Sequence, residues 1–419
     1  MNYINNKESN FFAIVVIGML FFIFGFITWL NGTLIPFLKI SCELNNFQAY
    51  FVTFSFYISY FFMALPSSWI LYKVGFKNGI SLGLGIMSIG SLLFIPAAIF
   101  RSYGIFLTGL FIQGTGLAIL QTAVNPYVTI LGPIESAARR ISIMGLCNKI
   151  AGIISPLILG AIVLKGISNI TEQLDIVLDN EKLILLNNLS KKIIPSYVIM
   201  GIVLVILAIV FFFIHLPEVD NSSDKKDKEK KDYIWKYPQL VLGFVAIFLY
   251  VGVEVISADT IVLFGQYEGI QIEKARVFTS FTLFFMLVGY LIGIILIPKY
   301  LKQEKALFFS ALLGILLSFI ILLTKGYASI ITLATLGIAN AVMWPAIWPI
   351  ALKGLGHLTK LGSSILIMGI LGGAIIPLIY GKLADLLGNK IAYFVLIPCY
   401  LFIAFYAQYG TKITSNNQN

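Results

Sequence analysis

Charged residues are scarce in this chain. Of its 419 residues, only 11% are Asp, Glu, Lys or Arg, whereas 59% are hydrophobic, and the mean hydropathy is +0.93. A soluble domain of this length needs far more polar side chains to cover its surface. The composition therefore excludes a soluble globular protein and predicts an all-α polytopic membrane protein.

Reactive and metal-binding residues are scarce as well. The three cysteines are scattered, and neither of the two histidines has a partner at metal-ligand spacing. The sequence has no P-loop glycine signature, and it has no Ser/His/Asp set or acid pair typical of an enzyme. We therefore predict no enzyme activity, no metal and no cofactor. The net charge of +10 is assigned to loops beside anionic lipid rather than to nucleic-acid binding.

Apolar runs of about 20 residues, the length that crosses a bilayer, recur along the chain. Twelve are predicted as membrane-spanning helices: Phe11–Leu38, Phe47–Tyr72, Gly79–Phe100, Ile105–Leu131, Ile141–Leu164, Ile194–Leu216, Leu240–Phe264, Val277–Pro298, Ala306–Leu323, Ala328–Leu352, Gly362–Leu386 and Ile391–Tyr409. An even number of spans places both termini on one side of the membrane. The segments on that side carry slightly more Lys and Arg than those on the other side, which favours a cytoplasmic location for both termini.

A charge-dense run, NSSDKKDKEKKDYIWK at Asn221–Lys236, divides the predicted spans into two sets of six. Its mixed charges and polar residues are typical of a flexible linker. We predict an N-terminal six-helix bundle at 1–216, a cytoplasmic linker at 217–239 and a C-terminal six-helix bundle at 240–419. The motifs ISIMG and PLILG in the fifth span recur as ILIMG and PLIYG in the eleventh. This recurrence indicates a parallel internal repeat.

Two apolar spans carry amide side chains at membrane depth. The stretch Gly116–Gly132 contains Gln121 and Asn125, which stand four residues apart on one helix face. The stretch Gly337–Gly356 contains Asn340 and a similar proline interruption. A carboxamide at this depth needs a neighbouring helix or a water-filled cavity. Two related half-chains that face one polar cavity indicate a secondary transporter for a hydroxyl-rich ligand.

Three charged residues, Lys149, Glu254 and Asp259, lie well inside predicted spans, where a charge is costly and therefore points to function. Glu254 either carries a coupling proton or hydrogen-bonds a sugar or another helix. Asp259 points to a different face of the same helix, and it either takes part in coupling or lies solvated near the outer mouth. A pair between Lys149 and either acid would form a charge-neutral switch.

Four stretches carry a family resemblance across nearly the whole chain: FFIFGFITWLNGTLIPFLK, LAILQTAVNPYVTILGP, FLYVGVEV and GLGHLTKLGSSILIMGILGGAIIPLIYGKLAD. In them the chain resembles the major facilitator superfamily, and within it the fucose–glucose–galactose permease branch. The resemblance implies uptake of a monosaccharide across the bacterial inner membrane, driven by a proton or sodium gradient. It also implies that Asn148 lies at a position that binds sugar.

Two positions depart from the family pattern. The resemblance implies an aspartate after Leu30 and Asn31, where this chain has Gly32. In the fourth helix, fucose-type members have a glutamate at the position of Gln121. Glutamine at this position is closer to the glucose/galactose-type members. Because both usual proton acceptors are missing, three alternatives to a coupled symporter stay open. They are a hexose uniporter, a transporter of another polar solute, and a sugar sensor that no longer transports.

Sugar sites combine amides with aromatic rings, because hydroxyl groups need paired hydrogen bonds and the C–H face packs on a ring. The predicted substrate-binding set is Trp29, Asn31, Gln121, Asn125, Asn148, Asn340 and Trp344. The predicted ion-coupling set is Lys149, Glu254 and Asp259. A cytoplasmic loop adds three residues that form either a gating latch or solvated surface charge: Glu135, Arg139 and Arg140. The expected partners are a sugar, a coupling H⁺ or Na⁺ and the lipid bilayer, and the chain is expected to be a monomer.

Overall fold

A computed structural model of the protein describes residues 7–130, 137–174, 176–214, 237–297, 300–355 and 358–416. All regular secondary structure within these ranges is helical. This follows from the environment, because a backbone surrounded by lipid must satisfy its own polar groups, and a helix does so within one segment.

The helices before residue 215 are α1 (Lys7–Thr28), α2 (Asn31–Ser41), α3 (Asn46–Ala49), α4 (Phe51–Leu92), α5 (Phe94–Ile99), α6 (Tyr103–Ile130), α7 (Ala137–Val163), α8 (Ile167–Leu174), α9 (Asp179–Lys191) and α10 (Ile194–Phe213). The predicted linker at 217–239 lies mostly outside the described residues.

The helices after residue 236 are α11 (Pro238–Asp259), α12 (Ile261–Tyr267), α13 (Ile272–Ala275), α14 (Phe278–Leu296), α15 (Gln303–Leu323), α16 (Tyr327–Ala341), α17 (Met343–Leu352), α18 (Thr359–Met368), α19 (Gly372–Leu387), α20 (Asn389–Ala392) and α21 (Leu396–Asn416). A short 3-10 turn joins α18 to α19, and another joins α20 to α21.

The described residues contain 11 helical segments long and apolar enough to cross a membrane. One of them, Asn46–Ile99, has 54 residues, and a straight helix of that length would measure roughly 80 Å. It is broken at Gly75, where φ is 79° and ψ is 164°, a conformation that favours glycine. The segment therefore supplies two crossings, as the sequence predicts. The predicted all-helical polytopic fold is confirmed.

The two halves of the chain use the same packing scheme. In the first half, α1 packs on α7, the early part of α4 packs on α6, and the late part of α4 packs on α10. In the second half, α11 packs on α19, α14 on α16 and α15 on α21. These are the same three pairs of spans, six spans further along the chain. The packing therefore agrees with the parallel repeat predicted from the sequence motifs.

Glycine allows the closest of these approaches. A Cβ atom added to Gly83 in α4 would lie 2.8 Å from the carbonyl oxygen of Gly116 in α6, and one added to Gly116 would lie 2.5 Å from that of Gly83. The two backbones therefore touch directly at this crossing. Helices in membranes commonly associate through such small residues, because lipid gives no hydrophobic drive to pack large ones.

The two halves meet at the end of the molecule where α2, α7, α12 and α19 finish; we call this the closed end. There, the carboxylate of Asp385 in α19 accepts hydrogen bonds from the backbone N–H groups of Asn46 (3.0 Å) and Phe47 (2.8 Å) at the start of α3. Glu273 in α13 likewise accepts one from the N–H of Ser168 in α8, at 2.7 Å. In both cases an acid of the second half binds the N-terminus of a helix in the first half.

Candidate functional site

A buried ion pair joins the two halves of the chain. Lys149 lies halfway along α7, and its Nζ is 3.0 Å from Oε1 of Glu254 in α11. The two residues are only 6% and 9% exposed. Each charge is therefore compensated by the other rather than by water. Of the two pairs that the sequence allowed for Lys149, the structure contains the one with Glu254.

Trp29 and Asn148 complete the first-half side of this site. The helix breaks between α1 and α2 at Trp29, and the Nζ of Lys149 lies 4.4 Å from the centre of the Trp29 ring. At this distance the ring face attracts the cation. The indole Nε1–H donates to Oδ1 of Asn148 at 3.4 Å, and the Asn148 amide donates to the carbonyl oxygen of Phe21 at 3.4 Å. The predicted sugar-binding Asn148 is thus held in place, and it stays half-buried.

A second chain of hydrogen bonds runs through the other half. The hydroxyl of Tyr400 donates to Oδ1 of Asn340 at 2.7 Å, and the Asn340 amide donates to Oγ of Ser257 at 3.2 Å. The Ser257 hydroxyl donates to the backbone carbonyl of Glu254 at 2.8 Å. Asn340 is fully buried, with both ends of its amide in use. The network therefore supports the helix turn that carries Glu254.

Sequence analysis missed Ser257 and Tyr400. Ser257 lies three residues after Glu254, so helical spacing could have indicated a contact on the same face. Nothing in the sequence distinguishes Tyr400 from the many other tyrosines, because its role depends on how α21 packs on α11 and α15.

Asp259 is in a different situation from Glu254. It is the last residue of α11 and is 1% exposed, yet neither of its carboxylate oxygens has a hydrogen-bond partner in the described part of the chain. In this arrangement the Asp259 side chain is therefore shielded from solvent, and its predicted part in coupling stays a prediction. The Nδ2 of Asn31 in α2 is likewise buried without a partner.

The position where the resemblance implies an aspartate is tightly packed. A Cβ atom at Gly32 would lie 2.8 Å from Oγ1 of Thr279 in α14 and 3.3 Å from the carbonyl oxygen of Ala258 in α11. Thr279 itself donates to that carbonyl at 2.9 Å. A carboxylate does not fit at position 32 in this arrangement.

Aromatic rings lie on the second-half side of the site. Trp344 in α17 stacks on Trp348 with ring centres 5.3 Å apart and lies 6.3 Å from the ring of Tyr250 in α11. Trp344 is half-buried, as is Gln121 in α6. These two residues keep surface available for a ligand.

Four predicted site residues receive no side-chain description. Asn125 lies in α6, and Arg139 and Arg140 lie in the first turns of α7, but the description of these residues stops at the backbone. Glu135 lies outside the described residues. The predicted gate therefore stays a prediction.

Two similarly packed sets of spanning helices with polar and charged groups enclosed between them define a membrane transport protein. Residues 17–377 match the family model of the Major Facilitator Superfamily, so the chain belongs to this superfamily. Its members are transporters rather than enzymes.

Individual relatives refine this placement. The chain is 36% identical over 411 residues to the glucose/galactose transporter of Brucella abortus biovar 1 (strain 9-941), covering 97% of this chain and 96% of that protein. It is 29% identical over 423 residues to the L-fucose-proton symporter of Escherichia coli (strain K12), covering 98% and 95%. The crystal structure of the transporter FucP in the outward conformation matches with a TM-score of 0.73 and 26% identity, covering 96% and 99%. The predicted branch of the superfamily is confirmed.

Proposed function

We propose that this protein imports a monosaccharide of the glucose/galactose type by alternating access, coupled to a cation. The observation that carries the proposal is the buried Lys149–Glu254 ion pair between the two halves, with the Trp29 indole ring and the Asn148 amide beside it. Intramembrane charges of this kind mark substrate and ion pathways. The glucose/galactose transporter and the fucose–proton symporter among its relatives support the class of substrate.

We also propose the bacterial inner membrane as the location, with both termini in the cytoplasm and a single chain as the working unit. In this orientation the closed end faces the periplasm. The structure then corresponds to the inward-facing state, and opening of the closed end gives the outward-facing state.

The residues proposed to contact the sugar differ in burial and in whether their polar atoms already have hydrogen-bond partners. Gln121, Asn148 and Trp344 are only half-buried, and amides together with an indole ring suit a polyhydroxylated ring. Asn31 offers an unpartnered amide donor. Asn340 is already bonded on both sides, so its proposed role is to position Glu254. The remaining members of the proposed set are Trp29 and Asn125.

Uptake into proteoliposomes tests this proposal. Purified protein is reconstituted, and entry of labelled glucose, galactose and fucose is followed under an imposed proton gradient and, separately, an imposed sodium gradient. We expect glucose or galactose to accumulate above equilibrium under one of the gradients. Mere equilibration of sugar would indicate a uniporter, and the absence of any sugar entry would contradict the substrate class.

Gln121→Ala is the substitution that tests the site. We expect it to raise the half-saturating sugar concentration at least tenfold, because a lost hydrogen bond to a ligand commonly costs about 1.5 kcal/mol. Gln113→Ala is the matched control on the same helix. Gln113 is buried and donates to Ser91 Oγ at 2.7 Å, so its loss should lower thermal stability but leave sugar affinity unchanged. Equal sugar affinity in wild type and Gln121→Ala would remove Gln121 from the site.

A further inference from the structure

The two acids of α11 have opposite surroundings. Glu254 is paired with Lys149 at 3.0 Å, whereas Asp259, one and a half turns further on, has neither a cation nor a hydrogen-bond donor on its carboxylate among the described residues. An ionised carboxylate that is buried without a partner is strongly unfavourable. This arrangement is stable only when the Asp259 carboxyl group holds a cation or a proton.

The two threonine hydroxyl groups beside Asp259 are committed elsewhere. Thr260 donates to the carbonyl of Ile256 at 2.7 Å and shares a 2.6 Å contact with the Tyr393 hydroxyl. Thr279 donates to the carbonyl of Ala258 at 2.9 Å. A metal cation would need several oxygen ligands turned toward it, whereas a proton needs only the carboxylate itself. The surroundings therefore favour a proton.

The other titratable groups near Asp259 are an acid and phenols. Glu254 lies on the same helix, Tyr50 and Tyr57 face Asp259 from α4 and the residue before it, and Tyr393 approaches from the start of the last span. The Tyr50 hydroxyl is also buried without a partner. None of these groups supplies a positive charge, so the charge of an ionised Asp259 would not be neutralised locally.

A helix of the first half contributes to the burial of Asp259 at the closed end. Helix α2, which belongs to the first half, packs against α11 and α12 beside this residue, and the backbone at Gly32 comes close to the Ala258 carbonyl. When the halves separate at the closed end, this cover is removed and water reaches the carboxylate. Water stabilises the ionised form there, and the closed arrangement does not.

We propose that Asp259 must bind a proton before the closed end can form, so that Asp259 is the group through which the coupling proton gates the transport cycle. The carboxylate takes the proton from water while this end is open, and its O–H bond persists while α2 covers it. Glu254 is paired with Lys149 in this arrangement and is not assigned the coupling proton. This inference rests on the proposed cation-coupled import, because it names the group and the ion that perform the coupling.

A distance measurement across the closed end tests the gate without any sugar. The three native cysteines are replaced by serine, and spin labels are attached to Ile176→Cys and Leu387→Cys, which are both exposed and lie at this end in opposite halves. Pulsed electron paramagnetic resonance then gives the distance distribution in lipid nanodiscs as the pH is changed. Because protonation permits closure, we expect the short-distance population to grow as the pH falls.

Asp259→Asn imitates the protonated carboxyl group. It should show the low-pH distance distribution at every pH, and Asp259→Ser serves as a second neutral variant in case the asparagine variant does not fold. Glu304→Ala, which removes an acid in the first turn of α15, is the comparison, and it should keep the pH response. The proposal would be overturned if the wild-type distance distribution did not change with pH, or if it changed with sodium concentration instead. An unchanged pH response in Asp259→Asn would also overturn it.

Transport assays separate failure of this inference from failure of the proposed function. In proteoliposomes, Asp259→Asn should exchange labelled for unlabelled sugar but lose accumulation above equilibrium under a proton gradient. If wild type moves no sugar, the proposed function fails, whatever the spin labels report. If wild type accumulates sugar and Asp259→Asn accumulates it equally well, only the role of Asp259 fails.

Discussion

At the scale of single residues, the contacts of Lys149 predict that its substitution lowers the stability of the folded protein. It is almost fully buried between the Glu254 carboxylate and the Trp29 ring. Removing one member of a buried ion pair leaves the other charge uncompensated, which commonly costs about 3 to 5 kcal/mol. Removing both members leaves no buried charge.

We therefore expect Lys149→Gln and Glu254→Gln each to lower the melting temperature of the purified protein clearly, and the double variant to recover most of that loss. Thermal unfolding in one detergent, followed by tryptophan fluorescence, measures all three variants. Additive losses in the double variant would show that the two side chains do not depend on each other.

Gly32 is a second residue whose substitution has a defined outcome. Because a Cβ atom there would lie 2.8 Å from Thr279 Oγ1, we expect Gly32→Asp to destabilise the closed end and to lengthen the spin-label distance between positions 176 and 387. Overpacking of this kind typically costs about 1 to 3 kcal/mol.

Two further variants isolate this steric effect. Gly85→Ala is the control, since a Cβ atom at Gly85 meets no atom within 4 Å, and it should change nothing. Gly32→Ala adds the Cβ atom alone and should also lengthen the distance. Thr279→Ala removes the atoms that this Cβ atom meets, so the double variant Gly32→Ala/Thr279→Ala should recover the short distance. If Gly32→Asp showed the same short spin-label distance as wild type, the packing argument would be contradicted.

At the scale of elements, helix N-termini hold the closed end together. The first N–H groups of a helix have no partner within the helix, and a carboxylate there gains both hydrogen bonds and the favourable end of the helix dipole. Asp385 does this for α3, and Glu273 does it for α8. Both acids come from the opposite half, so both contacts must break when this end opens.

We expect Asp385→Ala to shift the open–closed equilibrium toward the open state about fivefold, since loss of a helix cap costs about 1 kcal/mol. The same spin-label pair reports the two populations. Glu304→Ala is the matched control, because Glu304 lies in the first turn of α15, which packs on α16, α17 and α21 of its own half in the described part of the chain. An unchanged population in Asp385→Ala would show that this contact does not limit opening.

At the scale of the whole molecule, the sequence predicts the spans and their repeat because those features are local. A run of apolar residues specifies a crossing wherever it occurs, and the break at Gly75 lies between two predicted spans. The direction in which a side chain points is harder to predict from the sequence. Lys149 had two candidate partners, because membrane depth can be estimated from sequence but the rotation of α7 against α11 cannot.

The contacts at the closed end could not be predicted at all. Asp385 and Glu273 lie near helix ends, where a charged side chain is ordinary, and their partners are backbone groups that carry no sequence signal. These contacts also belong to one conformation only. A sequence encodes every state of the cycle together, so it does not identify the pairs formed in one of them.

The positions of the contacts between the halves bear on how fast the protein can work. If the halves turn against each other about an axis through the membrane centre, points near that axis move little and points at the rim move far. The Lys149–Glu254 pair lies near such an axis, so the interaction between the two residues can be strong without raising the free-energy barrier to rotation of the halves. Asp385 and Glu273 lie at the rim, where only contacts that exchange readily with water allow rapid turnover.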